Sequence, residues 1–519
     1  MQTNIYDKIP YTKNIYQQSQ PNYIATAATL FGMQPPPIAN CKVLELGCAS
    51  GINTIAMAQD IPDGQFVGID YSAIQIKEGK ANIDQLGLKN ITLKSMDFEA
   101  ITTDLGKFDY IVAHGIYSWI SPALRDKIMQ ICHQYLQPNG IAYISYNTNP
   151  GWHNDHMLRK MMLYRTRHLS DPQEKLEQAK ELLNFFITTV KNKYDSYSLS
   201  LRKELEYINK LDEHYLVHEY LEEYNEPILF TEFIEQANKY NLQYITDMRT
   251  PFVATEDFSF QNSLKFDLIE TEQYFDFLRN TAFRETLLCH QDIDLNRNLS
   301  SIENLYISAP LKSSAESEAT KPDETLAKFT NIAGETVLSV TSPLLKAVCL
   351  CLGEAWPQNL SFDNLMQQVQ ELLTMMDKNT IISTADVNEV KTMLREFYLK
   401  KIVELSVYPP KFTLKINEFP IASSIARLQS KSSKQVTNLR YEVFTLNFAT
   451  RDILQHLDGK HNIDLLLHVV QKSIDNGDLI LYRGDENQPQ VSTEELQNYL
   501  VKHIENILQD LAKKAYLVG

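Results

Sequence analysis

One short run constrains this chain more than any other: Val43-Leu44-Glu45-Leu46-Gly47-Cys48-Ala49-Ser50-Gly51. An apolar strand pattern over Lys42–Cys48 ends in a glycine-containing turn, and a helical pattern opens directly after it at Ile52–Ile61. Gly47 and Gly51 can take backbone conformations that other residues avoid, and a helix start offers N–H groups with no partner inside the helix. The alternation continues. Gln65–Asp70 predicts a second strand and Ala73–Leu86 a helix stopped by Gly87. Ile91–Asp97, Phe108–Gly115 and Gly140–Thr148 predict three further strands, with a helix over Pro122–Leu136 before the last. Strands alternating with helices predict an α/β fold, a parallel sheet wrapped on both faces.

The glycine spacing is G-x-x-x-G, not the G-x-G-x-x-G of dinucleotide sites. It favours a ligand with an amino-acid tail, whose carboxylate helix N–H groups can hold, over a pyrophosphate. Asp70 closes the second strand, where a carboxylate can accept both hydroxyls of a ribose. Asp97 and Phe98 close the third, where an acid can take an adenine amino group and a ring can cover its face. All these positions lie at strand C-terminal ends, where open α/β sheets bind ligands. A merely structural turn is the competing reading, and the two acids at the next two strand ends count against it.

After Trp152 the pattern changes to long helices, beginning with Met157–Leu169 and Glu174–Tyr194. The chain divides into a ligand-binding domain over 1–155 and a helical middle domain over 156–312. A polar linker spans 313–330, around Ser313–Asp323. Three amphipathic helices and a strand suggest a winged-helix-like unit over 331–415, and a mostly helical domain fills 416–519. A length of 519 residues fits this count, since roughly 150 residues make an ordinary domain.

The formal net charge of −16 opposes binding dominated by phosphate neutralisation, so nucleic acid is a disfavoured partner. A lysine-rich protein segment is electrostatically easier to approach. The start lacks the apolar core of a secretory signal, and no run of 18 apolar residues suggests membrane insertion. Six scattered cysteines without a CxxC pair read as reduced, buried thiols of a cytoplasmic protein.

The successive runs E-L-G-C-A-S-G, G-I-D (68–70) and M-D-F (96–98) resemble the motifs of class I S-adenosylmethionine methyltransferases, which have a Rossmann-like fold. H-G-I-Y-S-W (114–119), S-Y-N-T-N-P-G-W-H (145–153), H-E-Y-L-E-E-Y-N-E-P (218–227) and F-R-E-T-L-L-C-H (283–290) narrow the likeness. They are similar to bacterial methyltransferases with a "methyltransferase regulatory domain", among them rickettsial protein-lysine methyltransferases that modify outer-membrane proteins. The resemblance implies S-adenosyl-L-methionine as cofactor, S-adenosyl-L-homocysteine as product and a lysine-containing surface or outer-membrane protein as acceptor, and it leaves room for a homodimer. It implies that Glu45, Gly47, Cys48 and Gly51 line the methionine end, that Asp70 binds ribose, and that Asp97 and Phe98 bracket adenine. His114 would sit beside the methyl group, and the segment with Tyr11 would form a lid. Tyr16 and Ser19-Gln20-Pro21 replace the family's usual phenylalanine and Thr-His-Pro in that segment.

A lysine must be neutral to attack, and an aromatic, poorly hydrated channel favours the neutral amine. Tyr117, Trp119, Tyr146 and Trp152 are candidate walls, with core packing as the competing reading for each. Asn147 and Asn149 can direct an amine by hydrogen bonding or simply form turns. His218-Glu219 with Glu222 and Glu223 lacks the second histidine of a zinc motif, so no metal is expected. These residues instead cap a helix, make structural hydrogen bonds or face the acceptor channel. Three functions follow: a protein-lysine methyltransferase, a small-molecule methyltransferase, or a catalytically weak cofactor-sensing regulator.

Overall fold

The computed structural model describes residues 14–101, 105–211, 213–222, 224–249, 266–297, 299, 302–314, 323–480 and 493–518. The chain separates into two compact units, Gln18–Ser300 with the N-terminal Met1–Asn14, and Ser301–Gly519 with Ile15–Gln17.

The first unit is built on a seven-stranded sheet. Its strands are β1 (Lys42–Leu46), β2 (Gln65–Asp70), β3 (Ile91–Ser95), β4 (Phe108–Ala113), β5 (Leu136–Asn147), β6 (Leu242–Asp247) and β7 (Phe283–His290). Their order is β3-β2-β1-β4-β5-β7-β6. The first five pair in parallel, whereas β7 runs antiparallel to both β5 and β6. The crossover helices include α2 (Ile52–Asp60), α3 (Ala73–Leu86) and α4 (Pro122–Tyr135), while α1 (Pro21–Leu30) lies against β5 and β6. Local chemistry sets their ends. Ser72 caps α3 by accepting from Gln75 N at 3.2 Å, and Gly87 in the left-handed region stops it. Ser121 caps α4, with Pro122 at its first position.

This arrangement corrects the expected boundary near residue 155. The sheet is completed by β6 and β7, registered so that Asn147 faces Phe283 and Asp247 faces Thr286. These strands give β5 the neighbour that its edge would otherwise lack. The helices between β5 and β6 form an insertion: α5 (His153–Thr166), α6 (Pro172–Val190), α7 (Ser196–Ile208) and α8 (Glu213–Tyr220). They have their own core, which includes Leu158, Met162, Leu183, Leu205 and Tyr220. The main core joins Leu44, Leu46, Ile111 and Tyr146 of the sheet to Phe230 and Phe233 of α9 (Phe230–Lys239). A further helix, α10 (Leu268–Arg279), precedes β7 and begins with an Asp267–Glu270 capping box.

In the second unit, α11 (Pro343–Ala355), α12 (Phe362–Met376) and α13 (Thr384–Leu399) accompany a small sheet, β12-β8-β13. Its middle strand, β8 (Tyr306–Ser308), precedes both the expected linker and the expected 331–415 unit, while β12 is Leu360–Ser361 and β13 is Glu404–Ser406. The ends of the 313–330 segment are not a free linker. Ser313 in β9 (Lys312–Ser313) pairs with Phe329 in β10 (Ala327–Thr330), which also pairs with β11 (Thr336–Val340). The segment is polar, but backbone pairing needs no apolar side chain. The last region carries α14 (Ser424–Gln429), a hairpin of β14 (Gln435–Thr437) and β15 (Val443–Thr445), then α15 (Phe448–His456), α16 (Ile463–Asp475) and α17 (Thr493–Lys513). Ile453, Leu466, Ile504 and Tyr516 centre its core. All six cysteines are free and buried. No helix among the described residues is long and apolar enough to cross a membrane.

Candidate active site

The turn after β1 is held by the next strand: Gly47 N and Cys48 N both donate to Ile69 O, at 2.8 and 3.1 Å. Gly47 has φ +69°, and a Cβ there would lie 2.4 Å from Ile116 Cγ2, so glycine is required by conformation and by space. Ala49 is also left-handed, at φ +52°. Asp70, at the end of β2, accepts from Ala49 N and Ser72 N, each at 2.8 Å. The acid expected at the ribose therefore also braces the glycine turn. Cys48 is buried, and burial pushes its thiol well up.

Glu45 lies inside a buried polar network rather than on an open wall. Its carboxylate accepts from Asn53 Nδ2 at 2.8 Å and from the Thr54 hydroxyl. Asn53 Nδ2 also donates to Ser19 Oγ at 3.0 Å, and Gln20 Nε2 donates to Asn53 Oδ1 at 2.8 Å. The residues that depart from the family's lid pattern, Ser19 and Gln20, are thus built into the back of the turn. Burial, opposed by these hydrogen bonds and aided by the charge of Asp70, raises the Glu45 carboxyl from 4.5 to about 7. Tyr11 lies outside the described residues.

At the end of β3, exposed Asp97 accepts from Glu99 N at 3.0 Å and caps a short turn, while half-buried Phe98 packs against the main core. At the end of β4, half-buried His114 shares a hydrogen bond with Tyr143 OH at 2.9 Å from Nδ1. Its ring stacks on Tyr143 and meets Phe283 edge-on. Desolvation, with Arg249 adding a smaller repulsion, lowers its pKa from 6.5 to about 3. The next residue, Gly115, has φ +66° and open space where a Cβ would stand.

The four candidate rings separate here. Tyr117 is fully buried between Tyr146 and Phe233, with its hydroxyl donating to Gln236 Oε1 at 2.6 Å. Tyr146 stacks on Phe233 with centroids 4.1 Å apart, and its hydroxyl meets Thr286 Oγ1 at 3.0 Å. Both belong to the core because α9, about 80 to 120 residues downstream, covers them, as the Tyr117–Gln236 separation shows. Trp152 is buried beside Tyr220, whose hydroxyl donates to Asp155. Trp119 alone of the four is half-exposed, in the turn Tyr117–Trp119.

The acidic motif is drawn onto this same edge, but by residues other than those singled out. His218 and Glu219 are buried in the packed face of α8, with His218 Nδ1 3.6 Å from Glu222 Oε1. The following segment meets the strand ends. Asn147 Nδ2 donates to Asn225 Oδ1 at 3.0 Å, Ile228 N donates to Asn147 O at 3.1 Å, and Thr148 bridges Ile228. Asn147 is therefore an anchor for this segment. Sequence reasoning also missed Arg125, whose guanidinium donates to the carbonyls of Tyr117, Ser118 and Glu226. It missed the buried cluster at the far strands, where Arg284 pairs with Glu272 at 3.0 Å and Asp276 at 2.8 Å, with Asp247 at 4.0 Å. Spacing gave no signal for either, although Arg284 and Asn225 fall inside quoted motifs.

Together, the ends of β1 to β5 carry a left-handed glycine turn, an acid tied to it, a half-buried ring and a histidine. The glycine turn before a helix start and the acid at the next strand end suit a ligand with an amino-acid tail and a ribose. Three family models match: a methyltransferase domain over residues 38–212, a predicted methyltransferase regulatory domain over 212–290, and the PKMT C-terminal winged helix domain over 418–516. The third moves the winged-helix name from 331–415 to the final hundred residues, and the second covers β6 and β7 of the main sheet. An uncharacterized Rickettsia prowazekii protein is 35% identical over 532 residues, covering 99% of this chain and 94% of that one. Rickettsia typhi PKMT2 in complex with AdoHcy matches with a TM-score of 0.85 at 30% identity, covering 98% of this chain and 100% of that one. A second structure of that protein gives 0.86 at 29% identity, with the same coverage. By its motifs, its sheet and a likeness running nearly end to end, the chain belongs to the class I S-adenosylmethionine-dependent methyltransferases, in the group of the rickettsial PKMT proteins.

Proposed function

We propose that this enzyme methylates lysine side chains of protein acceptors, with a surface or outer-membrane protein as the natural target. The observation that carries the reading is the match to PKMT2 along the whole chain, together with the match to the PKMT C-terminal winged helix domain. The cofactor supplies an electrophilic methyl group on a sulfonium sulfur, and its transfer to nitrogen is an in-line displacement. The turn Gly47–Gly51 and Asp70 would hold the methionine and ribose ends, and Asp97 with Phe98 would bracket the adenine. Glu45 acts from beneath, keeping α2 and the N-terminal segment in place through Asn53 and Thr54. Six buried free thiols support action in the cytoplasm.

The acceptor amine must lose its proton before it attacks. His114, lowered to about 3, is a poor proton acceptor at neutral pH, so it does not act as the base for the acceptor amine. The proton leaves to solvent, and Trp119 shields the amine on the exposed side. Incubation with methyl-labelled cofactor and a bacterial outer-membrane protein fraction, followed by amino-acid analysis, tests this. Methyl-lysine is expected. Label confined to a small molecule, with none on lysine, overturns the reading in favour of a small-molecule methyltransferase.

A further inference from the structure

We infer that Arg125 is a positioning residue for methyl transfer, locking the loop after β4 and the segment 225–228 into one acceptor-side wall. Arg125 is buried on α4, and its guanidinium bonds to both of these pieces of chain. Nε donates to Tyr117 O at 2.9 Å, and Nη2 to Ser118 O at 3.3 Å and Glu226 O at 3.2 Å. Nη2 also lies 3.7 Å from the exposed Glu226 carboxylate. The middle carbonyl is shared, since Ser118 O accepts from Glu226 N at 3.0 Å. The Ser118 hydroxyl in turn accepts from Asn147 N at 2.8 Å, so the same junction reaches the end of β5.

A planar guanidinium suits this task. It presents several donors in a fixed fork, whereas an ammonium on a flexible stem cannot hold three carbonyls from two loops at set angles. The wall so fixed includes the turn that carries Trp119. Arg125 bonds to Tyr117, Ser118 and Glu226, whereas the glycine turn is bonded to Ile69 and Asp70, and Glu45 to Asn53 and Thr54. Ile116 of this loop packs on Gly47, yet the glycine turn is held by its own bonds to Ile69 and Asp70, so loss of the clamp loosens the acceptor side and spares the cofactor side. Because displacements of an ångström in a reacting pair cost up to about a hundredfold in rate, a loosened wall has a large kinetic effect.

The inference rests on the proposal that a protein lysine enters over these loops, so its test has one arm that does not need that proposal. Hydrogen exchange on full-length wild type, Arg125→Gln and Arg125→Lys should show faster exchange in both variants over 115–121 and 224–228 together. Exchange over 45–55 should be unchanged. Calorimetry with S-adenosylhomocysteine should give affinity within about twofold of wild type, while methyl transfer to the outer-membrane protein fraction falls by about tenfold or more in kcat/KM. Unchanged exchange in both loops overturns the inference. So does a parallel loss of cofactor affinity and turnover, the mark of a general structural role. If wild type labels no lysine, the lysine reading fails and the exchange arm alone decides the role of Arg125. Should Arg125→Gln not fold, Arg125→Lys, which keeps the charge but not the fork, must show the same exchange pattern, and unchanged exchange there overturns the inference.

Discussion

The side-chain amide of Asn147 donates to Oδ1 of Asn225 at 3.0 Å, joining the end of β5 to a segment 78 residues away. Asn225 Nδ2 continues the chain to Glu219 O at 3.0 Å. Both asparagines are buried, so cutting either leaves a desolvated polar group. Asn225→Ala should cost about 1–3 kcal/mol in stability by that penalty. It should also lower turnover with little change in cofactor affinity. Scanning calorimetry and titration with cofactor product check both, and an unaltered melting temperature would deny the bond its weight.

Asp70→Ala should abolish measurable cofactor binding in a calorimetric titration, because it removes the ribose acceptor and the brace on Ala49 N together. Asp70→Asn, which keeps one acceptor oxygen, should weaken binding less. Affinity equal to wild type in both would show that the ribose is held elsewhere.

Two desolvated groups give opposite pH dependences. Glu45 is raised from 4.5 to about 7, so between these values the folded chain binds a proton that the unfolded chain has lost. Its contribution to stability is present below pH 4.5 and is lost as the pH rises toward 7. His114 is lowered from 6.5 to about 3, so its contribution is present above pH 6.5 and is lost as the pH falls toward 3. Glu45→Gln should flatten the decline between pH 4.5 and 7, by at most about 3 kcal/mol. Urea melts at half-unit pH steps, wild type against variant, measure this. Parallel curves would show that Glu45 titrates normally.

Trp119→Ala should preserve cofactor binding and reduce turnover by about tenfold, the scale of one lost orienting contact. Tyr146→Phe should do the reverse. Its hydroxyl meets Thr286 in the core, so about 1 kcal/mol of stability is lost while kcat/KM holds. Normal kinetics in Trp119→Ala would return that ring to a packing role.

Arg284→Met should destabilise the first unit by about 3–5 kcal/mol, since Asp276 and Glu272 then stand buried without their cation. Burial already raises both carboxyls, and Arg284 opposes that rise. The loss should ease at acid pH, where they protonate. A melting temperature within a degree of wild type across pH 5 to 8 would contradict this.

Much of the site was legible because it is local. The strand, the left-handed Gly47 and the helix beginning at Ile52 follow from neighbouring residues, and the acid two strand ends away follows from the alternation. The rings show the limit. Tyr117, Trp119, Tyr146 and Trp152 have similar sequence surroundings, yet α9 buries two of them and Tyr220 packs on a third. A ring beside a strand end reads alike whether the chain later covers it or leaves it open. The polar stretch around 313–330 misled for a related reason, since strands this short pair through their backbones and leave no apolar alternation.

From the sequence alone came the α/β alternation, the cofactor turn with its acids, and the family to which they point. Each is read from short local motifs whose order along the chain needs no contact between them. Folding in three dimensions decided that β6 and β7 complete the sheet, that Glu45 sits in a network with Asn53 and Gln20, and that Arg125 gathers two loops. Those outcomes rest on hydrogen bonds and burial between distant segments, 101 residues apart for Arg125 and Glu226 and 140 for Tyr146 and Thr286, and no local pattern encodes which distant partner arrives.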